Sequence, residues 1–393
     1  MRLEHRISLA GELFRQARRP RREHAPAKDG RRRILVIRLD RIGDFALYLP
    51  FAAALRRAFP PESCHITLLG NTLWMPLARR MLDFDRFIEL DPQRFLTDAV
   101  LRRTLLDEVA AMRCDLLLQP RFHRELLLED LIAMAAAAPE SLAFSGTTRH
   151  IRKRRLLRPW NRPYGRLLDA APLHDAHELV KNRCFLDSAA PGGEPVPNPW
   201  RKRPPLPAAL AGLAGCTVIL PGGGTPGLSW PAAGFGALAA QASRRGLPVA
   251  VAGTKAERET ADAVIAAARI PAANLAGELD IEAFAALIAN ASLVIGNDTG
   301  GIHIAALAGV PSLVISGQGQ PGIFHPYPQG GAGILGIRFP VPAALPPLPC
   351  AGCYWECRYR NTPREYCCLR RLPVETAAAG LEKLIAAMEK RPS

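Results

Sequence analysis

The segment VIGNDTGGIHIAALAGVP, Val294 to Pro311, constrains this chain more than any other. Leu293, Val294 and Ile295 form a short apolar run of the kind that makes a buried parallel strand. Gly296 to Gly301 then supplies a turn, and Ile302, Ala305 and Ala306 recur at helical spacing. A strand, a glycine turn and a helix in that order aim the first N–H groups of the helix, and its positive dipole end, above the sheet. Gly300 and Gly301 carry no side chain, so an anion can come close, and a phosphate is the natural occupant. Asp298 is out of place beside a phosphate unless it serves another group, such as a sugar hydroxyl. Alternatively, Asp298 or Thr299 caps the helix, which is worth about 1 kcal/mol.

With 393 residues the chain can hold two domains, and 48% hydrophobic with 22% charged residues is a globular composition. A net charge of +15 calls for an acidic partner: nucleic acid, an anionic membrane surface or a phosphorylated substrate. No apolar run reaches the roughly 20 residues of a membrane span, and the N-terminus lacks a signal-type apolar stretch, so a cytoplasmic protein is expected. Cys114, Cys184 and Cys216 stand singly in apolar contexts and read as reduced core residues. Residues 1–33 form a basic extension in which Leu3, Ile7, Ala10 and Phe14 share one helical face. It suits either the surface of an anionic bilayer or a solvated tail.

From Ile34 onward strands and helices alternate. Ile34–Ile37 is a strand, Arg38–Asp44 a turn, and Phe45–Phe59 a helix ended by Pro60-Pro61. Strands follow at His65–Leu69, Arg86–Leu90 and Asp115–Gln119, with helices between them. This is the pattern of an open parallel sheet with helices on both faces, in which ligands sit beyond the carboxyl ends of the strands. Asp44 falls there, either as a helix cap or as a base. The run RHIRKRRLLRPWNRPYGR, Arg149 to Arg166, interleaves basic residues with Trp160 and Tyr164. It fits single-stranded nucleic acid or an anionic glycolipid. His174 and His177, with no acidic or cysteine company, read as ordinary polar positions.

The Pro-rich stretch of residues 191–210 is the expected linker between a domain of residues 34–190 and one of 211–373, with residues 374–393 a final helix. Past it the alternation restarts, with strands at Thr217–Leu220, Val249–Ala252 and Ser312–Ser316. Gly222, Gly224 and Gly227, and again Gly317, Gly319 and Gly322, match G-x-G-x-x-G. Neither is followed by an acidic residue at the end of the next strand, and Pro321 interrupts the second, so neither is read as a dinucleotide site. No P-loop motif is present.

ILVIRLDRIGDFALYLPFAAALRRAFP and VIGNDTGGIHIAALAGVPSLVISGQGQPGIFHPYP together resemble glycosyltransferase family 9, the ADP-heptose:lipopolysaccharide heptosyltransferases. Ser229-Trp230-Pro231, Gly253 with Glu257, and Leu279 ahead of Ile281 agree with it. The resemblance implies a GT-B fold, two Rossmann-like doubly wound α/β domains facing a central cleft. The acceptor would lie in the first, the nucleotide-sugar donor in the second, and the final helix would cross back onto the first domain. It casts Asp44 as the catalytic base of a single inverting displacement. Asp298, Thr299, Gly300 and His303 match the donor-binding D-[TS]-G-x-x-H, Glu257 a ribose-binding carboxylate, and Gly223, Gly224 and Thr225 a phosphate-contacting loop. Leu279 joins the donor side. Family members place a lysine shortly before the Trp-Pro pair, where this chain has Leu228. Arg38, Arg41 and Lys255 are candidates to take over that charge or to meet the acceptor.

Cys350, Cys353, Cys357 and Cys367, with Cys368 beside the last, have the spacing of a thiolate site for structural zinc or iron. Such tails resemble those of family members in which iron is bound. Catalysis itself needs no cofactor in this reading. The implied function is heptose transfer from ADP-heptose to an anionic lipopolysaccharide core, at the cytoplasmic face of a bacterial inner membrane. Another nucleotide sugar or a protein acceptor is the nearer alternative. The alternative of another class is a basic binding protein for nucleic acid or anionic lipid without turnover, which the Asp44 and Asp298-Thr299-Gly300 pair disfavours.

Overall fold

A computed structural model of the protein describes residues 3–18, 29–146, 161–197, 199, 203–224, 228–328, 335 and 340–389. Two compact units emerge. One comprises Met1–Arg41 with Tyr48–Val196, the other Ile42–Leu47 with Pro197–Ser393. The short Asp44 segment is thus grouped with the second unit although it belongs to the first in sequence.

The strands of the first unit are β1 (Arg32–Arg38), β2 (Cys64–Asn71), β3 (Arg86–Leu90), β4 (Leu116–Gln119), β5 (Glu140–Phe144) and β6 (Arg166–Leu168). They form one sheet in the order β3-β2-β1-β4-β5-β6, parallel throughout. The second unit carries β7 (Thr217–Leu220), β8 (Val249–Val251), β9 (Ala273–Asn274), β10 (Leu293–Asn297), β11 (Ser312–Ile315) and β12 (Val341–Ala343). Their order, β12-β11-β10-β7-β8-β9, repeats the first sheet when numbered within the unit, and it too is parallel. Both are doubly wound sheets flanked by helices, the two-Rossmann α/β fold of the GT-B type. Every residue of β4, β7, β10 and β11 is buried, as two-sided coverage requires.

In this topology the chain winds in opposite directions from the β1/β4 pair and from the β7/β10 pair. The turns leaving these strands therefore splay apart and leave a crevice at each switch point. The turn after β1 leads to Asp44, the glycine loop follows β7, and Asp298 follows β10.

Both terminal helices bury an apolar side. The helix Leu3–Ala17 docks through Leu9, while Ala10 and Phe14 stay exposed. Leu9 is fully buried in the first unit's core with Leu106 and Ile132, and Arg102 donates to Ser8 Oγ at 2.5 Å. Phe14, 61% exposed, is left outside with the Arg18 guanidinium 4.0 Å above its ring. The final helix, Val374–Glu389, packs on β11, β12 and the helix Ala232–Ser243. Its buried residues Ala377, Leu381 and Leu384 belong to the second unit's core, so its apolar stripe is satisfied there.

The Arg149–Arg166 run lies largely outside the described residues. Tyr164, which is described, is no stacking platform: it is buried, donates to Asp130 Oδ1 at 2.7 Å and lies under the Arg124 guanidinium. His177 is structural as expected, its Nδ1 accepting the Leu179 N–H at the start of the helix Glu178–Ala189. Cys114 and Cys216 are buried and Cys184 is half-buried, all three unbonded. Among the described residues no helix is long and apolar enough to cross a membrane. Leu9→Ala should lower the stability of the first unit by about 2–5 kcal/mol in urea unfolding. A solvated N-terminal helix would give no change.

Candidate functional site

In the second unit the site is built on the last residue of β10. Asn297 is buried, and its Nδ2 donates to the carbonyls of Pro221 and Gly222 and to Ser229 Oγ, at 2.7, 3.1 and 3.0 Å. Its Oδ1 accepts the Trp230 N–H at 3.2 Å. One carboxamide thus ties the glycine loop after β7 to the turn after β10. Sequence reasoning missed it, because an Asn at a strand end signals a turn rather than a brace.

The glycine loop is set by close approach. A Cβ on Gly222 would fall 1.8 Å from Glu257 Oε1, and one on Gly223 would fall 1.5 Å from the Leu228 carbonyl oxygen. Glu257 therefore borders the loop. Its Oε2 accepts the Thr254 N–H and hydroxyl at 2.7 and 2.9 Å, a capping box that fixes the carboxylate. The Leu228 side chain packs against the core. Lys255 is exposed on the same single turn, and Leu279 is half-buried just ahead of the Asp280 cap. Gly224 is exposed, at φ +65°. Thr225 lies outside the described residues.

Beyond Asn297, neither side chain weighed as a cap for the Gly300–Leu307 helix plays that part. Thr299 is extended and makes no side-chain capping hydrogen bond. Asp298 faces two histidines: His325 Nε2 is 3.0 Å and His303 Nε2 3.5 Å from its Oδ1. The imidazoles stack 5.2 Å apart within 4° of parallel, and Tyr327 Oη sits 2.6 Å from His303 Nδ1. Burial pushes the Asp298 pKa up. The charge of His325 and hydrogen bonds from both histidines outweigh it and hold the carboxyl well below the usual range. His325 and Tyr327, though inside the segment that carries the family resemblance, were given no role in the sequence reading. Only their arrival beside Asp298 from a later loop marks them.

The segment starting the Ile42–Ala58 helix reaches the same place. A Cβ on Gly300 would lie 2.8 Å from Ile42 Cγ2 and 3.0 Å from the Gly43 N, and one on Gly43 would lie 2.9 Å from His303 Cδ2. Two helix starts meet there glycine to glycine, and Asp44, half-buried, is the next residue along. Their dipoles' positive ends converge, a field suited to an anion.

The first unit's switch point is instead filled with its own charges. Arg38 is fully buried, its Nε 2.7 Å from Asp40 Oδ2 and a second nitrogen 3.9 Å from Glu178, so it is not open to a ligand's phosphate. Arg41 remains exposed. Arg121 pairs with Glu129 at 2.5 Å, Arg124 with Asp130 at 3.2 Å, and Lys181 with Glu178 at 3.3 Å. Burial, with the Lys181 charge nearby, pushes the His123 pKa down to about 4.

The cysteines gather without converging. Cys350, Cys353, Cys357, Cys367 and Cys368 line one small cavity. Cys357 Sγ accepts the Tyr366 N–H at 3.4 Å, and Cys368 Sγ lies 3.7 Å from where a Gly317 Cβ would be. Among the described residues, the ligating atoms that lie within 4.8 Å of one another are those of Asp298, His303 and His325 rather than thiols. Trp355, also in the cavity wall, lays its indole where side chains on Gly317 and Gly319 would be, its Cδ2 only 2.3 Å from a Gly319 Cβ. That second glycine motif is therefore a seat for an indole.

Residues 201–338 match the family described as glycosyltransferase family 9 (heptosyltransferase). Among solved structures, the chain is similar to a glycosyl transferase family 9 protein from Veillonella parvula (19% identity, TM-score 0.66, 93% of this chain and 100% of that one). It is also similar to ADP-heptose LPS heptosyltransferase II of E. coli (18%, 0.62, 91% and 99%). A third likeness is the iron-containing dodecameric glycosyltransferase TibC of enterotoxigenic E. coli (16%, 0.51, 93% and 79%). The family match covers part of the second unit, and the solved structures, at 16–19% identity, share the fold. No curated protein matches the chain. The matched family supports catalytic glycosyl transfer.

The buried His123 gives a pH signature. Its folded pKa of about 4 lies below the roughly 6.5 of an unfolded histidine, so the unfolded state binds more protons between these values. Stability should fall by up to ~3 kcal/mol as pH drops from 6.5 toward 4. His123→Gln should flatten that part of the profile in urea titrations.

Proposed function

We propose that the protein is an inverting glycosyltransferase that moves heptose from ADP-heptose to an anionic lipopolysaccharide core or related acceptor. The observation that carries this reading is the glycine-to-glycine contact that sets Asp44 beside the start of the Gly300–Leu307 helix. A phosphate-binding helix start and a carboxylate at one place are what a displacement from a nucleoside diphosphate sugar requires.

In this reading the donor diphosphate lies at the Gly300 N–H and the Thr299 hydroxyl, with the glycine loop beside it and Glu257 toward the ribose. Asp298 takes a sugar hydroxyl. The acceptor hydroxyl attacks the anomeric carbon as the bond from that carbon to the ADP oxygen breaks. Its proton passes to Asp44, while the helix dipole stabilises charge growing on ADP. The similar ADP-heptose LPS heptosyltransferase of E. coli supplies the heptose and the ADP in this reading. The net charge of +15 fits a phosphorylated acceptor, and activity would lie at the cytoplasmic face of the inner membrane.

The five-thiol cavity is chemically suited to structural zinc or iron, held by the cysteines as thiolates once protons are lost. Burial now raises the pKa of Cys353 and Cys368. Such an ion would fix the segment of residues 350–368.

A thermal-shift comparison of nucleotides tests the donor. ADP at a hundredfold excess over its Kd should stabilise the protein by about 2.7 kcal/mol. Stabilisation by UDP or GDP in its place would sink the assignment. Asp44→Asn should cut kcat by about 10²–10⁴-fold while leaving the ADP shift intact. Unchanged turnover would remove Asp44 from the chemistry.

A further inference from the structure

The trio facing Asp298 Oδ1 has more order than a sugar-binding carboxylate needs. Two imidazoles from different segments present the same ring atom, Nε2, to one carboxylate oxygen, at 3.0 and 3.5 Å. Atoms bound about 2.0–2.1 Å from a common ion lie roughly 3.0–3.4 Å apart, depending on whether the angle between them is octahedral or tetrahedral. The 3.0 Å spacing falls on such an edge and the 3.5 Å spacing just beyond it, and all three ligating atoms lie within 4.8 Å of one another. Both rings are buried, at 2–4% side-chain exposure, whereas Asp298 is 25% exposed, so the trio is rigid behind and reachable in front. His303 is oriented through its other nitrogen by Tyr327 Oη at 2.6 Å, the kind of outer partner that fixes a metal-binding histidine. Two imidazoles and one carboxylate form a borderline-soft donor set, which selects first-row transition ions over magnesium or calcium.

We infer that Asp298, His303 and His325 form a binding site for a divalent first-row transition-metal ion. The site lies within the donor region as read above, but the ion's binding does not depend on that reading. A nucleotide-free titration therefore lets the two fail separately.

The test is a Co²⁺ titration of the chelator-treated full-length protein, followed by absorption spectroscopy. The expected result is one equivalent of cobalt with visible ligand-field bands of nitrogen and oxygen ligation. Any cobalt at the cysteines would announce itself separately through near-ultraviolet thiolate charge-transfer bands. Asp298→Asn and His325→Gln, two near-isosteric changes whose folding is checked by metal-free melting curves, should each abolish the visible bands. Tyr327→Phe keeps all three ligands and should weaken cobalt binding by about 10–100-fold. Absence of the visible bands from the unaltered protein would overturn the inference, as would identical bands in His325→Gln.

Discussion

The approach of Gly43 to Gly300 is the contact on which the site depends. A methyl group on either residue would fall 2.8–3.0 Å from its neighbours, inside van der Waals contact with Ile42, the Gly43 nitrogen or His303. Removing both side chains lets two helix starts touch, so two sets of N–H dipoles address one small volume. Without this contact Asp44 would be an acid in the first turn of an ordinary helix, stabilising by a few tenths of a kcal/mol. With it, Asp44 stands beside groups from more than 250 residues later in the chain.

The two switch points solve the same topology differently. In the second unit one carboxamide, Asn297, braces the glycine loop and the turn after β10, with Glu257 and the Asp298 trio beside them. In the first, buried Arg38, Asp40, Glu178 and Lys181 pair among themselves, while buried Glu129 and Asp130 pair with Arg121 and Arg124. Burial raises the pKa of Asp40 even with Arg38 beside it, so the pair is held at a desolvation cost. Such a lattice of charges specifies one arrangement, because displacing any member strands its partner.

What could be read from the sequence was local. Apolar runs with intervening glycines marked most of the strands and the turns carrying Asp44, Glu257 and Asp298, because each is encoded within a dozen residues. His325 and Tyr327 close the segment that carries the family resemblance but drew no role from it, since a His-Pro-Tyr in a loop has no periodicity and gains meaning only from Asp298 beside it. The same holds for Tyr164, whose basic neighbours advertised a surface while its hydroxyl was sought by a buried Asp130. The docking of the N-terminal helix was hidden because its many arginines outweigh the few apolar positions, of which Leu9 enters the core. The cysteine spacing revealed that the thiols would be neighbours, and they line one cavity.

The Trp355 indole on the backbone of Gly317 and Gly319 couples two regions that the chain keeps separate. The Tyr354 N–H donates to the Gly319 carbonyl, and the Gly352 N–H to that of Gln318, so the cysteine segment is stitched to this strip along its length. Six residues after Gly319 comes His325, at Asp298. Evolution can therefore alter the cysteine-rich tail only in step with the loop beneath it: neither glycine can gain a side chain while the indole stays.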